Sequence, residues 1–174
     1  MAVELAARKF NRAKWTVTFS IKDSDAPADA ITVCLRTTDN RLSFWNCTKA
    51  DDSIKDVVLA LATGSRVERL DKMHVIGMSK RQLASKGLSF LSNEGDTAVQ
   101  ELRGQHFDVV ELTLSRLSKI ARLMSRNIRK DILCYTYTRK DVAQIINKAI
   151  TDGRLIVDNL HPSLQTELAG FIDH

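Results

Sequence analysis

Apolar residues recur at helical spacing over one long stretch, residues 107–130 (FDVVELTLSRLSKIARLMSRNIRK). At ~100° per residue, Val110, Leu114, Leu117, Ala121, Met124 and Ile128 fall within an arc of about 80°. Val109 and Ile120 widen that stripe. Lys119, Arg122, Arg126, Arg129 and Lys130 occupy the far side, with Arg116 at its margin. Asp108 and Glu111 would stand in the first turn and Arg126, Arg129 and Lys130 in the last, as the helix dipole favours. The pattern predicts one helix over residues 107–130. Leu112 and Leu123 break the border between its faces, which predicts contact with a second element or with a partner.

Elsewhere the period changes. Residues 14–22 alternate, with Trp15, Val17, Phe19 and Ile21 against Thr16, Thr18 and Ser20, and predict a strand. Residues 3–12 suit a short helix or an ordered arm. Residues 26–36 suit a helix opened by Pro27 and Asp29, although the β-branched run from Ile31 also fits a strand. A turn at residues 38–40 leads to an apolar strand over 42–47. Asp51 or Asp52 then caps a helix whose inner face is Ile54, Val57, Val58 and Leu61, stopped by Gly64. A further strand is centred on residues 73–78 and is followed by a short helix before Gly87.

Strand alternating with helix predicts a small, largely parallel α/β sheet of about three strands, or an α+β domain if residues 31–37 are extended. Residues 91–104 are polar, carry Gly95 and Gly104, and read as a linker. The expectation is two domains: residues 1–92, small and α/β, and residues 93–174, helical and organised on the 107–130 helix. Within the second, residues 131–138 form a short extended piece. Thr138 and Asp141 then open a helix that buries Val142, Ile145, Ile146 and Ala149. A last helix after Pro162 turns Leu164, Leu168 and Phe171 inward.

Composition refines this picture. An apolar fraction of 44% suffices for a packed core, and a net charge of +5 favours polyanionic partners only weakly. The distribution is more informative. Residues 1–92 hold fifteen Lys/Arg and ten Asp/Glu, whereas residues 93–174 hold eleven of each. Between Arg116 and Lys140 stand eight basic residues and one acid, Asp131. Cys34, Cys47 and Cys134 are widely spaced and odd in number, which suits reduced thiols and a cytoplasmic protein. No signal peptide and no membrane-spanning run is present in the pattern.

Motifs with mechanical content are missing. There is no phosphate-cradling GxxxxGK[ST], no GxGxxG, no GxSxG, no HExxH and no CxxC. No cofactor, metal or catalytic residue is implied, and the balance leans away from an enzyme. His74 reads as a structural histidine. Asp51, Asp52 and Asp56 read as caps and a solvated face. A small-molecule site, if the chain has one, belongs at the strand ends near residues 22–25, 47–51 and 79–80. Three function classes follow. The first is a non-catalytic nucleic-acid-binding module, with DNA or RNA phosphates on Arg116, Lys119, Arg122, Arg126, Arg129, Lys130, Arg139 and Lys140. The second is an interaction or regulatory subunit whose protein partner, or second copy, covers Leu112, Leu123 or a sheet edge. The third is a small enzyme working at the sheet's C-terminal edge.

Overall fold

The computed structural model of the chain describes residues 3–17, 22 and 25–172. Among these, six strands form one sheet: β1 (Leu5–Phe10), β2 (Leu42–Cys47), β3 (Met73–Ser79), β4 (Ser89–Ser92), β5 (His106–Val110) and β6 (Cys134–Tyr137). Their order is β4-β5-β2-β1-β3-β6, and every neighbouring pair is antiparallel. Seven α-helices accompany them: α1 (Arg12–Trp15), α2 (Ala28–Cys34), α3 (Asp51–Ala62), α4 (Lys80–Ser85), α5 (Leu114–Arg129), α6 (Arg139–Thr151) and α7 (Pro162–Ile172).

The helices cover both faces of the sheet. One core joins Leu5, Ala7, Trp45, Met73 and Val75 to α3, α6 and α7. The other joins Ala6, Phe10, Phe44, Ile76 and Met78 to α1, α2, α4 and α5. The central strands are therefore buried on both sides. That is why β3 reads as a mostly apolar run (MHVIGMS) rather than as alternation, and why Leu5, Ala6 and Ala7 of β1 are all buried.

The expected three-stranded parallel sheet with a separate helical C-terminal domain is overturned. The C-terminal half contributes β5 and β6 to the same sheet, and β4 runs into the first two residues of the stretch expected as a linker. The alternation of strand and helix was misleading for a specific reason. β2, α3 and β3 do form a crossover between strands that point the same way, but β1 is inserted between them and runs opposite to both. The stretch 3–12, expected as a short helix or an ordered arm, thus supplies a central strand, Leu5–Phe10, with Arg12 opening α1. The alternating stretch 14–22 is no strand where it is described: Lys14 and Trp15 close α1, and Thr16 and Val17 are irregular. Residues 18–21 lie outside the described residues.

The predicted long helix divides in two. Residues 106–110 (HFDVV) pair with β2 on one side and β4 on the other. Glu111 adopts φ 54°, which breaks the chain direction, and the Thr113 hydroxyl caps α5 by accepting from the Arg116 N–H at 3.2 Å. Asp108 and Glu111 are therefore not first-turn acids. Asp108 is 6% exposed within the sheet, where its carboxyl accepts from Ser43 Oγ and Asn93 Nδ2, each at 2.9 Å.

The remaining helix has a long way to go. β5 and β6 stand four places apart, ~19 Å at the usual strand spacing. The 16 residues of α5 extend ~24 Å, enough to cross that span over one face.

A close approach fixes the loop between β4 and β5. A Cβ at Gly95 would press into the buried Trp45 ring and lie 2.8 Å from His106 Cβ. Gly95→Ala is expected to destabilise the protein by about 1–3 kcal/mol, the range for overpacking a filled site. Urea denaturation should show a lower midpoint, whereas Gly104→Ala, with open space around it, should leave the midpoint within ~1 kcal/mol of wild type.

Candidate nucleic-acid interface

Helix α5 contains five basic residues and no acid. Its buried side chains are Ile120, Ala121, Leu123, Met124, Ser125 and Asn127. The inward face is thus rotated from the one the apolar stripe predicted. Leu114, expected inside, is 83% exposed, while Leu123 is 7% exposed and packed in the second core. Leu112 is 6% exposed and joins the same core. Both leucines expected to face a partner are covered by the chain itself.

A polar lock accounts for the rotation. Asn127 is 9% exposed, and its Nδ2 donates to the Gly77 carbonyl in β3 at 3.1 Å. The Asn127 carbonyl in turn accepts from the Ile132 N–H at 2.8 Å, and Gly77 N–H donates to the Leu133 carbonyl at 2.9 Å. The end of α5, the middle of β3 and the approach to β6 are tied together through these groups. Ser125 Oγ adds a bond to the Asp25 carbonyl at 2.8 Å. An inward Asn at this position carries no signal in a hydrophobic pattern.

The eight predicted basic residues separate into distinct settings. Arg116 donates to the Glu111 carbonyl and pairs with its carboxylate at 3.2 Å. Lys119 Nζ donates to the Lys86 carbonyl at 2.9 Å, and Arg129 Nη1 reaches the Lys22 carbonyl at 3.4 Å. Arg139 forms an ion pair with Glu167 and lies 5.3 Å above the Phe171 ring. It opens α6, which packs on the opposite face of the sheet from α5, and Lys140 follows it there. Arg122, Arg126 and Lys130 are exposed, and among the described residues none has a carboxylate within 4.0 Å. Tyr135 and Tyr137 pack at the margin of the α3–α6–α7 core, away from the arginine helix.

Two of the three strand ends expected to hold a small-molecule site do meet. Asn46, Cys47, Thr48, Ser53 and Lys80 line an open cavity of about 410 Å³. Its chemistry is quiet. Lys80 Nζ donates to Asn46 Oδ1 at 2.8 Å and sits 4.7 Å above the Phe107 ring. Burial pushes the Cys47 thiol up to about 12, so it is held as the unreactive thiol. Asp56 is committed to Arg154 at 2.8 Å. Among the residues lining this cavity, no nucleophile is paired with a base.

A second polar chain runs through the sheet. His106 Nδ1 lies 2.7 Å from Asn93 Oδ1, and Asn93 Nδ2 donates to Asp108. That amide orientation makes His106 the Nδ1–H tautomer. Burial holds His106 below the ordinary histidine value, against the opposing pull of Asp108 and the Asn93 bond. His74, against the Phe10 ring and 3.0 Å from Thr136 Oγ1, is lowered by burial and then by Lys72 and Arg12.

No protein-family model, curated protein or solved structure matches the chain.

Two outcomes test this geometry. Asn127→Ala strands the Gly77 carbonyl and is expected to cost about 1–3 kcal/mol, read as a lower urea midpoint. Because His106 and His74 titrate lower in the folded chain than in the unfolded one, stability is complete above the unfolded value near ~6.5 and falls as pH drops through it. Denaturation midpoints measured at descending pH should show this decline, and His106→Gln should flatten it.

Proposed function

We propose that this chain is a non-catalytic nucleic-acid-binding module that holds phosphates on the outward face of α5. The observation that carries the reading is the trio Arg122, Arg126 and Lys130: exposed, without a carboxylate partner among the described residues, on a helix that has no acid of its own. The helix dipole explains cations only in the last turn. Arg122 stands two turns from the C-terminus and is not explained that way. Intrahelical pairing, the other ordinary reason for a charged face, is ruled out by the absence of acids in α5.

Arg122 to Lys130 span ~12 Å of helix axis. A duplex presents about seven negative charges over that length, at one per ~1.7 Å. The guanidinium fork suits phosphate oxygens, and the packed helix fixes the spacing of the side-chain attachment points before binding. The contacts supported here are to backbone, so recognition is of charge and spacing rather than of base sequence. Leu112 and Leu123 lie inside the fold, so the competing protein-partner reading has lost its apolar anchors.

Fluorescence anisotropy of labelled duplex DNA, single-stranded DNA and RNA tests the proposal. Three phosphate contacts give a log–log salt slope of about −2.7, so a roughly threefold rise in salt should weaken binding about twentyfold. Arg122→Glu/Arg126→Glu, with its fold verified by circular dichroism, should lose more than about tenfold in affinity. Binding that ignores these substitutions, or no binding at low salt, would retire the reading.

A further inference from the structure

Arg8 is a cation that the fold does not complete. It lies in β1, the central strand, with its guanidinium 5.2 Å above the Phe44 ring. Its Nε is inaccessible and has no hydrogen-bond partner. Its Nη1 makes one long bond, 3.4 Å, to the Ser43 carbonyl. Among the described residues no carboxylate lies within 4.0 Å of it. Burial lowers its pKa to about 10, and the Cys34 thiol supplies the opposing influence. Arg8 is half-buried, so its outer nitrogens keep some access to water, but its Nε is shut off from both water and any acceptor, and the aromatic face supplies no hydrogen-bond acceptor for it.

Arg8 opens into a pocket of about 330 Å³, shared with Arg36, Thr38, Asp39, Arg41, Ser43 and Asp108. That volume is at the small end of ligand sites. Arg36 and Arg41 are exposed and likewise have no carboxylate within 4.0 Å among the described residues. The two acids do not fill the role. Both oxygens of Asp108 are taken by Ser43 and Asn93, and Asp39 sits at the tip of the turn with φ 51°.

The turn itself is rigid. Thr38 and Arg41 exchange both backbone bonds, at 3.3 and 2.9 Å, across the two residues Asp39 and Asn40, which have positive φ. Leu112 N–H pins the Asn40 carbonyl at 2.9 Å. The turn thus holds the backbones of Thr38 and Arg41 at one opening that Arg8 and Arg36 also line.

We propose that this pocket binds a phosphoryl group, as free phosphate or as a terminal phosphate monoester. A guanidinium fork pairs bidentately with carboxylate and phosphate alike, but a phosphoryl dianion brings more oxygens and more charge to a site lined by three arginines. A dianion would supply Arg8 with the counter-charge that the fold withholds. The site is separate from the α5 face and does not rest on it.

The test is thermal unfolding at fixed ionic strength, with inorganic phosphate replacing chloride. The wild type should gain about 2 °C or more in Tm, saturably. Arg36→Gln/Arg41→Gln, which changes only exposed side chains and keeps Arg8, should lose most of that gain. Arg122→Glu/Arg126→Glu should keep it, which separates this site from the nucleic-acid face. A 5′-phosphorylated dinucleotide that acts at lower concentration than inorganic phosphate, while its 5′-hydroxyl counterpart does nothing, identifies a terminal monoester; equal potency identifies free phosphate. The proposal is overturned if phosphate and chloride curves coincide, if the Arg36/Arg41 variant responds like wild type, or if acetate stabilises as well as phosphate.

Discussion

Strands β5 and β6 stand at positions two and six of the sheet, and a single helix has to join them across the strands between. That requirement sets the direction and length of α5 and the face it lies on. Because the helix reaches from one side of the sheet to the other, its inner side chains meet the second core along most of its length. Ile120 and Met124 are wholly buried there, each contributing roughly 2 kcal/mol relative to an exposed position. The Asn127–Gly77 bond then selects one rotation about the axis, since any other would leave a buried amide and a carbonyl unpaired. The outward direction of Arg122 and Arg126 follows from packing on the inside.

The two cores depend on each other through β1. Leu5 and Ala7 belong to one and Ala6 and Phe10 to the other, so the strand is a shared wall. The alanines let layers approach closely on both sides. Arg8 is the exception on the Ala6–Phe10 side of that wall, and it shares a pocket with the turn before β2.

Several elements were legible in the sequence because their signals are local. The capping box of Thr138 and Asp141 marks α6, and the Asp39-Asn40 turn is visible as turn chemistry. The residues of β2 and β3 stand out as short apolar runs. What was not legible is non-local. LAARKF has the propensity of a helix and becomes a strand because β2 and β3 flank it. HFDVV kept the helical period by coincidence; its pairing partners Ser43 and Ser89 lie 65 and 21 residues away from Asp108 and Val110. The basic face of α5 could be read, since charge periodicity survives in the sequence. The convergence of Arg8, Arg36 and Arg41 could not, because no spacing relates residues that only the turn and the sheet bring together.

The position of β1 has a consequence for how the chain is made. It precedes the other strands of the sheet in the chain, yet its partners in β3 lie more than sixty residues downstream. Until they arrive, only the edge that faces β2 has a native partner, and the chain between must be closed into a long loop before the second edge returns free energy. The sheet is completed on one side only when β6 emerges. Pairings of such long separation add loop-closure cost ahead of their return, and they leave one edge of β1 open to mispairing until β3 is made.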